Sequence, residues 1–345
     1  GGGEWERVGA SERGLTYRVG VSAVDGDETD DVWVTVSGFT TPSTLYLSDP
    51  MRCVEGLSAA HPGEKLKAAP SFFDARDLCV EQHEARSADG TAVPYFQVSR
   101  EPLGGPAPAL LYGYGGFEIP ELPRYSATIG MSWLERGGVY VVANIRGGGE
   151  FGPAWHQAGL REKRPRVYED FAAVAKDLVR RGVTLPEKLA VKGGSNGGLL
   201  VGNMLVSYPE LLGAVVCEVP LLDMRVYHRL LAGASWMDEY GDPDTADWGF
   251  IRKFSPYHLA KPASEVSYPA CLFMTSTKDD RVHPAHARKM VHLLEEMGHP
   301  DVLYYENIEG GHGAAADNKQ VAFRYTLLFN FLWRVLAPEQ APDKA

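Results

Sequence analysis

The sequence predicts an α/β fold: a mostly parallel, twisted sheet with helices on both faces, preceded by a β-rich segment. Three observations carry this. From about Phe72 onward, short apolar runs alternate with stretches whose apolar residues recur at helical spacing. One of these alternations passes through GGSNGG at Gly193, a glycine-rich turn between a strand pattern and a helix pattern. Residues 1–70 instead alternate with period two and lack helical stretches.

The elements follow in order. LTYRVGVSAV and DDVWVTVSGF, rich in Val, Thr and Tyr and separated by DGDETD, read as short antiparallel strands. So few strands cannot close a domain, so they are expected to belong to a larger β structure. HPGEKLKAAP, from His61, reads as a linker, which sets the expected domains at 1–70 and 71–345. DLCVEQHEARSADGTAVPYFQVSR carries Asp89-Gly90 between two alternating runs, a hairpin that would add an antiparallel edge. ALLYGY and GVYVVANI read as buried strands, and YEDFAAVAKDLVRRG, from Tyr168, as an amphipathic helix with a glycine stop. KLAVKG is a strand, the segment after Ser195 a helix, and GAVVCEV and ACLFMTS are further strands. PAHARKMVHLLEEMG starts with proline and ends with glycine, as a helix should. VLYYENI is the last strand, and DNKQVAFRYTLLFNFLWRVL a long closing helix.

Composition narrows the function. The chain has 345 residues, 44% of them hydrophobic, enough for a large core in one or two domains. A net charge of -11 argues against a general nucleic-acid binder. The longest apolar runs, such as LLGAVVCEV, are too short to span a bilayer, so no membrane partner is expected. GGGEWERVGASERG has no secretory leader pattern and is expected to be a cut edge. The expected compartment is cytoplasmic or periplasmic. Of the four cysteines, Cys53, Cys79, Cys217 and Cys271, none forms a C-x-x-C pair, and the last two lie in apolar strand patterns.

Gly193-Gly194-Ser195-Asn196-Gly197 matches G-x-S-x-G in the strand–turn–helix context of a nucleophile elbow. The flanking glycines allow a sharp turn, and the helix start offers amides to negative charge. The competing readings are an ordinary glycine-rich loop or a phosphate loop, and the Walker form of the latter is excluded because no G-K-[ST] follows. A serine nucleophile needs a base, and the base an orienting acid, in chain order Ser, Asp or Glu, His. Asp279 and Asp280 end one strand pattern, and His312 lies between glycines after the next. Spacing alone leaves the two aspartates open. His283 and His286 open a helix without an H-E-x-x-H pattern, so no metal site is expected.

LLYGYGGFEIP, ANIRGGGEFGPAWH, GGSNGGLLV, DDRVHPAHA and EGGHGA, in this order, resemble the prolyl oligopeptidase family of serine peptidases from about residue 70 to the end. The resemblance implies an α/β-hydrolase catalytic domain whose parent chain also carries a β-propeller. Residues 1–70 would be its last portion and the rest an expected partner. It implies Ser195 as nucleophile, His312 as base and Asp279 as orienting acid. Tyr114 and the backbone amide of Asn196 would form the oxyanion hole. Arg281 would hold a substrate carbonyl, and Trp236 would lie against a substrate proline ring. Tyr240, Phe117, Val282 and Leu221 would line the pocket, with Leu221 where a smaller, valine-like residue is usual. Arg146 would anchor a loop beneath the site.

The expected activity is hydrolysis of short peptides on the carboxyl side of proline, through an acyl-enzyme and without metal or organic cofactor. The alternatives are the same triad with another specificity (an oligopeptidase for other residues, an aminopeptidase or an esterase) and a binding protein on a hydrolase scaffold.

Overall fold

The computed structural model describes residues 16–49 and 63–340. The chain divides into two compact units. Of the described residues, one comprises 16–49, 63–82, 98–101 and 122–136, the other 83–97, 102–121 and 137–340.

The first unit contains a four-stranded antiparallel sheet of β1 (Tyr17–Ala23), β2 (Val32–Gly38), β3 (Thr44–Ser48) and β4 (Glu64–Ala68), in sequential order. The first two are the strands expected from period-two patterning. The fourth corrects the linker expectation. Glu64–Ala68 pairs with β3, and all five of its residues are exposed, so a strand with almost no apolar face looks like a linker in sequence. His61 and Cys53 lie outside the described residues. In the same unit Phe73 stacks on Tyr125 and fills the space beside Gly130.

The larger sheet has eight strands in the order β12-β11-β10-β9-β7-β8-β6-β5. These are β5 (Leu78–Arg86), β6 (Ala92–Arg100), β7 (Ala109–Tyr112), β8 (Val139–Ala143), β9 (Leu189–Gly194), β10 (Ala214–Glu218), β11 (Ala270–Ser276) and β12 (Val302–Asn307). β8, β7, β9, β10, β11 and β12, adjacent in that order, run parallel to one another. β5 and β6 form the edge hairpin, turning at Gly90, whose φ of 85° explains the Asp-Gly signal. Every residue of β10 is buried, so both faces of the sheet are covered there.

Four longer helices follow the expected segments: α1 (Pro165–Arg180), α2 (Asn196–Ser207), α3 (Ala285–Glu296) and α4 (Asn318–Leu336). α1 starts three residues before the expected Tyr168, because Pro165 supplies a preset first turn. α4 is capped by the Asp317 side chain, which accepts from the Gln320 amide. The second unit's core brings together Leu111, Val141, Phe171, Val191, Leu200, Val215 and Phe273 between sheet and helices. Among the described residues no helix is long and apolar enough to cross a membrane.

The strand order positions the site. From β9 the chain steps outward through β10, β11 and β12, whereas β7 and β8 step the other way. The order therefore reverses between β7 and β9, and clefts form at the C-terminal ends of strands at such a point.

Candidate active site

Ser195 follows directly on β9 with φ 58° and ψ −116°, a conformation that a residue with a Cβ rarely adopts. Its amide donates to the Glu218 carbonyl at 2.9 Å, and its carbonyl accepts from the Gly198 and Leu199 amides that open α2. The turn is too tight for side chains at two places. A Cβ on Gly193 would lie 2.1 Å from the Gly197 carbonyl oxygen, and one on Gly198 2.6 Å from the Pro220 ring. The pattern thus folds as the expected elbow, with Ser195 half-buried at the point where the strand order reverses.

Asp279 lies just beyond β11 and His312 beyond β12, which brings two residues distant in sequence to neighbouring strand ends. His312 Nδ1 donates to Asp279 Oδ2 at 2.8 Å and lies 3.0 Å from Oδ1. This leaves Nε2 as the basic nitrogen. Asp279 Oδ1 also accepts from the amides of Arg281 and Val282, both at 2.9 Å. Burial by itself would raise the Asp279 carboxyl, but His312 and these two amides outweigh it and hold the group below its usual value. Of the two aspartates, it is Asp279 that meets His312, whereas Asp280 is exposed. No hydrogen bond joins Ser195 to His312 among the described residues. Such contacts commonly close only with substrate bound.

Tyr114 follows β7, the strand beside β9. Burial raises its phenol, and Arg164 and the facing Ser195 side chain offset this only in part, so the phenol stays a hydrogen-bond donor at neutral pH. Asn196, the first residue of α2, is fully buried. Its Nδ2 donates to the Tyr114 carbonyl at 2.6 Å, and its Oδ1 accepts from the Tyr240 hydroxyl at 2.8 Å and from Arg164. Arg164 Nη1 donates to Glu239 Oε1 at 2.8 Å, the Phe117 amide donates to the same oxygen at 3.0 Å, and His156 Nε2 meets Glu239 Oε2 at 2.8 Å. The Asn196 side chain thus ties the elbow to the Tyr114 backbone, with a buried ion pair behind it.

The remaining expected residues are placed as follows. Tyr240 is wholly buried, stacked under Arg164 and edge-on to Phe117, with its hydroxyl committed to Asn196. Val282 and Leu221 belong to the buried core, and half-buried Phe117 and Trp236 pack against it. Arg281 is exposed, and its carbonyl lies 3.4 Å from the Ala232 amide, in the segment that leads to Trp236. Arg146 is buried, donating to Asp170, Ser87 and Asp89 and so tying the loop after β8 to α1 and the edge hairpin.

Sequence reasoning missed Arg164, Glu239 and His156. Arg164 stands in REKRPR, which reads as a solvated charge run, and Glu239 stands among acids in MDEYGDP. Nothing in the local pattern marks either as buried. His283 accepts the Ala285 amide at the start of α3, His286 accepts the Asp223 amide from the segment after β10, and burial pushes His286 down to about 4 despite Asp223 nearby. His228, Asp242 and Asp244 bring potential metal ligands within 4.8 Å of one another. Asp244 there already accepts from Arg225, Arg229 and His228, so ion pairs account for the cluster.

An elbow serine, a carboxylate-bound histidine and a phenol facing the serine, all at the C-terminal ends of a parallel sheet, define a serine hydrolase of the α/β type. Residues 125–339 match the model of the prolyl oligopeptidase family, and the chain belongs to that family. It is 51% identical over 313 residues to an uncharacterized peptidase of Sinorhizobium fredii, covering 90% of this chain and 42% of the relative. It is 33% identical over 314 residues to the prolyl endopeptidase of Elizabethkingia miricola, covering 89% and 43%. Among solved structures, one from a study of two prolyl endopeptidases matches with TM-score 0.83 and 40% identity, over 92% of this chain and 46% of the other. A post-proline cleaving enzyme from Rickettsia typhi matches with TM-score 0.83 and 37% identity, over 93% and 45%. The fold is the α/β-hydrolase fold, and the chain spans less than half the length of these relatives.

Proposed function

We propose that this chain is the catalytic part of a serine oligopeptidase that cleaves short peptides on the carboxyl side of proline. Residues 71–345 form the peptidase domain, and residues 1–70 belong with a β-propeller that completes the parent chain. In this reading Ser195 Oγ attacks the scissile carbonyl as His312 Nε2 takes its proton, and Asp279 stabilises the imidazolium. The oxyanion is held by the Tyr114 phenol and the Asn196 amide, donors worth several kcal/mol in comparable sites. The C–N bond breaks as His312 returns the proton to the leaving amine. Water, giving a proton to His312, then adds to the acyl-enzyme; the tetrahedral adduct breaks its bond to Ser195 Oγ, which takes that proton back from His312, and the carboxylic acid leaves.

The observation that carries this reading is the bidentate hold of Asp279 on His312 Nδ1 beyond β11 and β12, at the same end of the parallel sheet as the Ser195 elbow beyond β9. The apolar setting of Trp236, Phe117 and Val282 supports a proline ring as the recognised group. Glu239, the buried acid of the same region, is already satisfied by Arg164, His156 and the Phe117 amide, which disfavours recognition of a basic side chain there. The test is turnover of chromogenic peptides ending in proline, arginine or alanine, with fluorophosphonate labelling of wild type and S195A. Labelling of wild type alone, with proline preferred, is expected. Absence of labelling in folded wild type refutes the peptidase reading, and equal or better turnover without proline refutes the specificity.

A further inference from the structure

We propose that Arg324 is a positioning residue that clamps the loop carrying His312 to the acid beneath the Ser195 turn; the proposal rests on the roles given above to His312 and Ser195. The near side of this loop has its own supports. Asn307 Oδ1 accepts the amides of Glu309 and Gly310 at 2.8 and 2.9 Å, and Ser276 Oγ donates to the Gly310 carbonyl. Gly310 packs so tightly that a Cβ would lie 2.4 Å from the Ala315 nitrogen.

Beyond His312 the loop reaches Gly313, which is exposed, and Ala314, held at φ 55°. There Arg324 Nη1, from α4, donates to the Gly313 carbonyl at 2.5 Å. Gln320, one turn earlier on the same helix face, holds the base of the loop by accepting from Asn307 Nδ2 and the Ala316 amide. Arg324 is therefore the side chain that grips the residue next to the histidine.

The other side of the guanidinium faces Glu218, with Nε 3.7 Å from Oε1. Glu218 is the last residue of β10, and its backbone carbonyl is the acceptor for the Ser195 amide. Its Oε2 is paired with Lys192 at 2.6 Å. Glu218 thus already has a cation at bonding distance, whereas Gly313 O depends on Arg324. The Arg324 side chain is 15% exposed and Glu218 8%, so the two charges attract one another largely out of water, at a separation too long for a hydrogen bond. One guanidinium thereby spans the support of the serine and the neighbour of the histidine, groups whose relative placement decides proton transfer.

The test compares R324M, R324K and R334M in the full chain, by steady-state kinetics on a proline peptide and by amide hydrogen exchange. Arg334 lies on the same helix, exposed, and its variant should match wild type. R324M should lose roughly 10- to 100-fold in kcat, the scale of an ångström's misplacement, with KM moved less than about threefold. Exchange should rise in residues 309–316 and not in residues 285–296. R324K, which can still donate to Gly313, should recover most of both losses. Unchanged kcat and exchange in R324M overturn the clamp, as does an R324K variant as impaired as R324M. Should wild type itself prove inactive, the peptidase reading fails while the exchange comparison still decides the clamp.

Discussion

Replacing Arg164 with methionine tests the buried support of the oxyanion site. Arg164 is wholly buried, and its partner Glu239 is 6% exposed on the side chain. The substitution removes the bonds to Glu239 and Asn196 and leaves a buried carboxylate with only the Phe117 amide and His156 against it. Breaking a buried pair by deleting one partner costs about 3–5 kcal/mol. At roughly 2–4 °C per kcal/mol for a domain of this size, Tm should fall by roughly 6–20 °C. Activity should fall too, because Asn196 keeps its bond to Tyr240 but loses the charged anchor that orients it toward the Tyr114 carbonyl. A kcat loss short of the ~100-fold seen when an oxyanion donor is deleted outright is expected. The decisive comparison is the double variant R164M/E239Q. If the cost arises from an uncompensated charge, the double variant should be more stable than R164M alone. Thermal unfolding and fluorophosphonate labelling rates measure both effects. An R164M protein within about 1 kcal/mol of wild type, or a double variant whose losses simply add, would refute the reasoning.

Two further outcomes follow from the same geometry. Asp279 is held below its usual carboxylate range in the folded protein, so its stabilising contribution is fully present above the unfolded value of about 3.9 and is lost as pH falls through the folded value. Urea unfolding of wild type and D279N should therefore differ at pH 7, with the gap narrowing as pH falls below the ordinary aspartate range, and D279N should lower kcat by about 10⁴-fold through loss of the correct His312 tautomer. At the edge hairpin, R146M should destabilise by about 3–5 kcal/mol because Asp170 is left buried, whereas D89N, whose side chain is 38% exposed, should cost about 1 kcal/mol or less in the same assay.

How much of this could be read from sequence depended on whether local pattern and burial agree. The alternating elements from β5 to α4 were legible because parallel strands buried on both faces leave continuous apolar runs, and their helices leave a 3.6-residue period. The elbow was legible because its turn excludes side chains at Gly193 and Gly198, a demand only glycine meets. β4 was hidden, since an exposed strand carries no apolar face. Asp279 and Asp280 could not be separated by spacing, because the choice lies in which carboxylate meets the amides of Arg281 and Val282. Arg164, Glu239 and Arg324 were invisible for a different reason. Each is a charged residue that would ordinarily face solvent, and its burial depends on partners dozens of residues away.

Backbone strain shows why these hidden charges matter. Seven non-glycine residues among those described have positive φ: Phe117, Glu118, Arg161, Ser195, Val219, Leu231 and Ala314. None lies in the described part of β1–β4. Phe117 and Glu118 follow β7, Ser195 follows β9, Val219 follows β10 and Ala314 follows β12, so five of the seven stand beyond the C-terminal ends of four sheet strands. Each such residue costs about 1–3 kcal/mol and persists only where surrounding structure over-determines it. That over-determination is visible in the hydrogen bonds. Phe117 is held by Glu239, Ser195 by the Glu218 carbonyl, Val219 by the Met274 carbonyl and Ala314 by the Gly311 carbonyl. Glu239 is in turn fixed by Arg164 and Glu218 by Lys192, with Arg324 3.7 Å away as a second cation. The two buried ion clusters therefore act on different wings of one strained rim, the Tyr114 wing and the His312 wing, with Ser195 between them. Disabling either cluster should relax its own wing and spare the other, so single losses at Arg164 and Arg324 should multiply in rate when combined.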